Sequence, residues 1–382
     1  MEFETRCIHA GQPSAYHSTG AVSMPIFQTA TFAHPGVGQS TGFDYSRLQN
    51  PTREQLEQVV AGLENASHAF AFSTGMAALT AMMELFAPGD HIIASDDLYG
   101  GSHRLFFSLN AKNGIAVSLV PTQSLAAVEG AIQKQTKAIF IETPTNPMMN
   151  VTDIAAVAQL CKKHGLLLIV DNTFLTPYLQ KPLLLGADLV LHSGTKYLGG
   201  HNDTLAGFLA TSHPALAERL LFICKTTGAC LAPFDSWLVI RGIKTLAVRM
   251  ERQQKTAEQL ALWLLAHPKV RQVYYAGLPQ HPGYEISKKQ AGGAGAMLSF
   301  RVDLPETAQS LLQNVKIIQF AESLGGVESL VTYPMLQTHA DVPEAERLAQ
   351  GIDDTLLRLS VGLEAAEDLI ADLDAALGGQ PV

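Results

Sequence analysis

Cysteine is scarce, with four in 382 residues (Cys7, Cys161, Cys224 and Cys230), and no two form a Cys-x-x-Cys pair. That excludes a dense disulfide framework and a cysteine-based zinc site. Long apolar runs are missing too: the stretch 166–170 covers only five positions, far short of the roughly 18–20 needed to cross a bilayer. Positive charge is in deficit, Lys+Arg 26 against Asp+Glu 35, for a net charge of −9. No basic cluster offsets this, so a nucleic-acid partner is not expected. The opening Met1-Glu2-Phe3-Glu4-Thr5-Arg6 lacks the basic and apolar regions of a signal peptide, and a cytoplasmic location is expected.

What is present is apolar substance. Hydrophobic residues make up 47% of the chain, too many for a disordered protein. The length allows two or three domains. The first 45 or so residues have little periodicity and are punctuated by Pro13-Ser14 and Ser18-Thr19-Gly20, which reads as an arm. Regular structure is predicted from Pro51, with Thr52 as cap, Gln55 three residues on, and Leu56, Val59, Val60 and Leu63 on one helical face.

Strand and helix patterns then alternate. Short apolar strands are predicted at 68–72, 91–94, 115–120, 138–142, 166–170, 189–192 and 207–211. Helices are predicted at 76–86, near 102–112 and at 154–164, the last ending at Gly165. Strands that are apolar throughout suit a sheet covered by helices on both faces, so the fold class is α/β with a mostly parallel sheet. From about Gly242 the texture changes to a long helix (246–267), a segment at 270–277 and a strand at 296–302, read as a smaller α+β domain running to the C-terminus. No internal repeat is visible.

In such sheets the ligand sits beyond the carboxyl ends of the strands. Three strand ends carry chemistry: Asp171-Asn172-Thr173, Ser193-Gly194-Thr195-Lys196, and Ser73-Thr74-Gly75-Met76 at the start of a helix. Each alone is ordinary, since an isolated Asp commonly caps a turn and most lysines are solvated. Together they suit pyridoxal phosphate, which needs a lysine for its Schiff base, an acid against the pyridine nitrogen and an anion site for its phosphate. Competing motifs fail on context. Gly292-Gly293-Ala294-Gly295 precedes a strand rather than a helix, and Ser193–Lys196 lacks P-loop spacing. His201-Asn202-Asp203 has no partner motif, so no metal is expected.

At this point the sequence resembles a known family, the Cys/Met-metabolism PLP enzymes. These comprise the cystathionine γ-synthases, the cystathionine γ- and β-lyases, the methionine γ-lyases and the O-acylhomoserine sulfhydrylases. The resemblance rests on Asp171-Asn172-Thr173-Phe174, Gly186-Ala187-Asp188 and Ser193-Gly194-Thr195-Lys196-Tyr197-Leu198-Gly199-Gly200-His201. It is extended by Tyr45-Ser46-Arg47, Asn50-Pro51-Thr52-Arg53, Tyr99-Gly100-Gly101, Glu142-Thr143-Pro144-Thr145-Asn146-Pro147, Glu322-Ser323-Leu324-Gly325-Gly326 and Arg358-Leu359-Ser360-Val361-Gly362. One departure is Gly194, where many members have Ala.

The resemblance implies the fold-type I PLP-dependent transferase architecture. The chain would divide into an arm (1–47) that contacts a neighbouring subunit, a PLP-binding domain (48–241) and a C-terminal domain (242–382). It also implies roles. Lys196 would carry the cofactor and move protons, Asp171 would pair with the ring nitrogen, and Tyr99 would stack on the ring. Gly75, Met76, Ser193 and Thr195 would hold the phosphate, joined by Tyr45 and Arg47 of the neighbouring subunit. Arg358, with Asn146 and Ser323, would clamp the substrate α-carboxylate, while Glu322, Asp44 and Arg104 would lie toward the distal end. The family assembly is a homotetramer of two active-site dimers.

Among the family's reactions, Glu322 resembles the γ-acting enzymes, Asp44 the γ-synthases, and Gly101 departs from the Cys typical of methionine γ-lyases. The run Pro233-Phe234-Asp235-Ser236-Trp237-Leu238 followed by Arg241-Gly242 is most similar to bacterial cystathionine γ-synthase and O-acetylhomoserine thiolyase sequences. The expected reaction is γ-replacement of an O-acylhomoserine by cysteine or sulfide. A cystathionine γ-lyase, a β-lyase and a non-catalytic PLP-binding scaffold are the alternatives.

Overall fold

The computed structural model describes residues 1–11 and 20–378. The Pro13-Ser14 and Ser18-Thr19 punctuation lies outside the described residues. Seven strands form the larger sheet: β1 (His68–Phe72), β2 (His91–Ser95), β3 (Ala116–Val120), β4 (Thr136–Glu142), β5 (Leu167–Asp171), β6 (Leu189–Ser193) and β7 (Gly207–Thr211). Their order is β1-β7-β6-β5-β4-β2-β3. β7 runs antiparallel to both of its neighbours and all other pairs are parallel. The apolar runs are explained by two-sided burial. Phe140, Ile169 and Leu191 pack with Ala78 and Leu220 on one face, and Ile139, Leu168 and Val170 pack with Val157 and Leu160 on the other.

The predicted helix 154–164 is present as Ile154–His164. Asp153 caps its start, and Gly165 at φ +67° closes it in the left-handed conformation that glycine adopts freely. The expected helix near 102–112 is regular for only one turn, Gly100–Arg104. It continues as a π-helical turn, Leu105–Asn110, and a tight 3-10 turn, Ala111–Asn113.

Two expectations for the N-terminal region change. A helix, α1 (Phe3–His9), lies inside the expected arm and buries Phe3 and Cys7 in the main core. Helix α2 (Pro51–Glu64) is capped by Asn50 rather than Thr52. Asn50 Oδ1 accepts from the N–H groups of Thr52 (2.9 Å) and Arg53 (3.4 Å), while Pro51 takes the first helical position, where no N–H is needed. The Thr52 hydroxyl instead ties down the arm, accepting from Phe27 N–H at 2.9 Å and donating to the Pro25 carbonyl at 3.2 Å.

A second sheet holds β8 (Val270–Tyr274), β9 (Met297–Val302), β10 (Gln319–Phe320), β11 (Leu330–Thr332) and β12 (Leu356–Ser360), in the order β10-β11-β12-β9-β8. It is antiparallel except for the β10/β11 pair. The 21-residue helix Leu246–Ala266 packs on β8 and β9 and shares one core with them and with α2. Among the described residues, no helix is long and apolar enough to cross a membrane.

Candidate active site

A cavity of about 340 Å³ opens where β1, β4, β5 and β6 end and β12 approaches. Lys196, Asp171, Tyr99, Gly75, Met76, Ser193, Thr195, Asn146, Ser323, Glu322 and Arg358 all line it. The strand-end rule had pointed to this place.

One end of the cavity is built for an anion. Helix α3 (Gly75–Met83) starts directly after β1, with the Thr74 side chain accepting from Ala77 N–H at 2.9 Å. The N–H groups of Gly75 and Met76 have no partner among the described residues, as expected at a free helix start. A Cβ on Gly75 would come within 3.0 Å of Ser193 Oγ, so glycine leaves room beside that hydroxyl. The Thr195 hydroxyl is already engaged, donating to the Ala206 carbonyl at 3.2 Å and accepting from its N–H at 3.0 Å.

The middle of the cavity carries the acids. Asp171 Oδ1 accepts from the Thr173 N–H (2.9 Å) and hydroxyl (2.5 Å), while its other oxygen has no hydrogen bond among the described residues. Burial raises the Asp171 pKa, and the bonds from Thr173 only partly offset this. A cationic N–H in the cavity would reverse that shift, so the site suits a protonated pyridine. Glu142 lies beside Asp171 in register on the adjacent strand. Burial, and then the Asp171 charge, push Glu142 well above the usual carboxylate range, and its Oε2 accepts from Tyr99 N–H at 3.1 Å. Tyr99 is 42% exposed, with its ring facing the cavity. A Cβ on Gly101 would lie 2.5 Å from Tyr99 Cε1. Cysteine at that position is therefore incompatible with this placement of the ring.

The far wall holds the cations. Lys196 Nζ donates to Ser323 Oγ at 2.9 Å. Burial lowers its pKa to about 8, with help from the Arg358 charge and opposition from Glu322. Arg358 is 1% exposed and forms no ion pair among the described residues. It donates to Asn146 Oδ1 (2.8 Å), the Ser323 carbonyl (2.9 Å) and Thr332 Oγ1 (3.1 Å), and its Nε is buried without a partner among the described residues. Burial lowers its pKa to about 10. Ser323 serves both cations from a backbone at φ +93°, a strained conformation for a residue with a side chain.

Four expected residues stand away from this cavity. Arg104 is exposed and paired with Asp341, so it offers no free guanidinium to a distal carboxylate. Asp44 accepts from the Ser40 hydroxyl at 2.5 Å and lies 3.7 Å from His34. Arg47 donates to the Lys225 carbonyl and lies over the exposed Tyr45 ring. Glu142, Thr173 and Thr338 line the cavity without having been singled out for the site. Glu142 was within reach of the same strand-end argument that found Asp171.

Over nearly its whole length the chain is similar to known proteins. The Cys/Met metabolism PLP-dependent enzyme family matches residues 4–378. The chain is 50% identical to a cystathionine gamma-lyase of Bacillus subtilis, covering 99% of both proteins. It is 51% identical to a cystathionine gamma-synthase of Haemophilus influenzae, covering 93% of this chain and 92% of that protein. Identity to a cystathionine beta-lyase of Lactococcus lactis is 48%, covering 98% of both. A crystal structure of cystathionine gamma-lyase from Lactobacillus plantarum with L-serine superposes with a TM-score of 0.97, at 46% identity and 99% coverage of both chains.

The lowered Lys196 pKa gives a testable pH dependence. The neutral, nucleophilic amine accumulates as pH rises, so the rate at which apo-protein takes up pyridoxal phosphate should climb and level off above about 8. Stopped-flow absorbance across pH would show this. A rise that continues toward the ordinary lysine value of 10.5 would contradict the burial argument.

Proposed function

The chain belongs to the Cys/Met-metabolism PLP-dependent enzymes, in the trans-sulfuration group of cystathionine γ-synthases, γ-lyases and β-lyases, and we propose that within this group it catalyses γ-replacement of an O-acylhomoserine by cysteine. The observation that carries this reading is Glu322, which lines the cavity next to Ser323 and whose charge is felt by both Lys196 and Arg358. A carboxylate in that place suits an incoming amino acid, because it can hold the second substrate's ammonium group while the thiolate approaches Cγ.

Asp171 would pair with the ring nitrogen of the cofactor, Tyr99 would cover the ring face, and the Gly75 and Met76 N–H groups with the Ser193 hydroxyl would hold the phosphate, joined by Thr195 once its hydroxyl turns from the Ala206 carbonyl. Bound there, pyridoxal phosphate supplies an electron sink for negative charge developing at the substrate Cα. Arg358 takes the α-carboxylate, which provides the anion that its buried guanidinium lacks. With the cofactor bound to substrate, the free Lys196 Nζ would stand ready to remove the Cα proton. An amine holds one extra proton at a time, so Lys196 would hand the Cα proton on to the bound cofactor before removing one from Cβ, whereupon the γ-ester would leave as a carboxylate. Cysteine thiolate adds at Cγ, and Lys196 returns the two protons in reverse order.

A γ-lyase is the second reading, favoured by the 50% identical relative of that name. It uses the same residues for the same early proton transfers and differs in releasing a thiol rather than capturing one. Product analysis by mass spectrometry separates the readings. With O-acetyl- or O-succinylhomoserine and cysteine, cystathionine should accumulate, while cystathionine supplied alone should remain nearly unchanged. Rapid 2-oxobutanoate and cysteine from cystathionine would make the protein a γ-lyase. Pyruvate and homocysteine would make it a β-lyase and remove the role of Glu322.

The arm points to a shared site. Among the described residues, the only cations lining the cavity are Lys196 and Arg358, so a phosphate dianion there needs further positive charge. Arg47 and Tyr45, exposed and outside their own cavity, would supply it to a neighbouring subunit within a homotetramer. Arg47→Ala and Lys196→Ala should each be impaired alone. Mixed and reassembled, random hybrids should recover about a quarter of the wild-type sites, since each hybrid dimer holds one intact site of two. No recovery on mixing would place Arg47 outside the neighbour's site.

A further inference from the structure

Behind the cavity, on the opposite face of the sheet, one carboxylate ties the ends of β5 and β6 together. Glu64 is the last residue of α2 and is fully buried. Its Oε1 accepts from His192 Nε2 and, at 3.1 Å, from Asn172 Nδ2. His192 immediately precedes Ser193, and Asn172 immediately follows Asp171. Successive strand residues point to opposite faces, so these two are the back-face neighbours of the phosphate-site hydroxyl and the ring-site acid.

The cavity face has a matching bridge. The Thr173 hydroxyl donates to Asp171 Oδ1 and accepts from Ser193 N–H at 2.9 Å. The same pair of strand ends is therefore locked from both sides. The back-face network runs on from Asn172, whose Oδ1 accepts from Gln180 Nε2 at 3.0 Å and whose Nδ2 also donates to the Gln180 carbonyl at 2.9 Å. Gln180 in turn bonds the Thr143 carbonyl (3.2 Å) and Gln290 (3.3 Å).

Within this string, Glu64 Oε2 and His192 Nδ1 are buried without hydrogen-bond partners among the described residues. A buried, incompletely satisfied acid is costly where an apolar residue would seal the core. No step of the reaction touches it, so its use must lie in what it holds.

We propose that Glu64 is a positioning residue for the cofactor. By bridging His192 and Asn172 it fixes the spacing of Ser193 and Asp171, and hence of the phosphate and ring-nitrogen contacts. The inference rests on the cofactor site alone and is independent of which substrate bond is broken.

The test is titration of apo-protein with pyridoxal phosphate. Glu64→Met, which removes the acceptor at similar length, should raise the cofactor Kd about tenfold and displace the visible absorption band of the bound cofactor. Glu64→Gln, which keeps an acceptor oxygen, should recover most of both. A purely structural role would lower the thermal midpoint of the apo-protein and leave the band in place. Wild-type Kd and band in Glu64→Met, or Glu64→Gln as impaired as Glu64→Met, would overturn the proposal. Should Glu64→Met fail to fold, Asn172→Ala cuts only the β5 side of the bridge. It should shift Kd and band in the same direction, and wild-type values there would equally overturn it.

Discussion

A buried guanidinium that makes no ion pair among the described residues organises this site. Burying an unpaired charge is expensive, and the cost is contained only when neutral dipoles surround it. Arg358 sits on β12, all five residues of which are buried, and three neutral oxygens face its guanidinium. Asn146 comes from the loop after β4, Ser323 from the turn after β10, and Thr332 from the end of β11. The arginine therefore joins the second sheet to the carboxyl edge of the first. It remains an anion receptor because none of its partners is an anion.

The other groups are arranged around that cation. Ser323, strained at φ +93°, turns its carbonyl to Arg358 and its hydroxyl to Lys196. This sets the proton-transferring amine beside the carboxylate site. The loss of solvent, and then the positive field of Arg358, bring the lysine toward its neutral form. Across the cavity, Glu142 and Asp171 end adjacent parallel strands, where two buried carboxylates resist sharing full ionisation. Glu142 spends its oxygen on the Tyr99 backbone. Asp171 keeps one oxygen open, at the position where a cofactor nitrogen would meet it.

Much of this was legible in the chain because strand-end chemistry is local. Apolar runs that stop at Asp171, Ser193 and Ser73 announce both the strands and the edge that carries the ligand. Lys196 follows within one turn. What the sequence hid is the choice of partners. Whether Arg104 faces the substrate depends on Asp341, 237 residues away, and whether Thr52 caps its helix depends on Asn50 and on the arm it anchors instead. The reversal of β7 is likewise a matter of connection rather than composition, since it is buried throughout just as the parallel-paired β2 is. Glu64 reads as an ordinary helix-end acid until the fold sets it between two strands.

The account turns on Arg358 being an empty receptor for an amino-acid carboxylate. Calorimetric binding of an unreactive amino-acid analogue and of its α-carboxamide to the PLP-loaded enzyme tests this most directly. The carboxylate should bind at least about a hundredfold more tightly, and Arg358→Met should abolish the difference. Equal affinity of the wild-type enzyme for the two ligands would contradict the account.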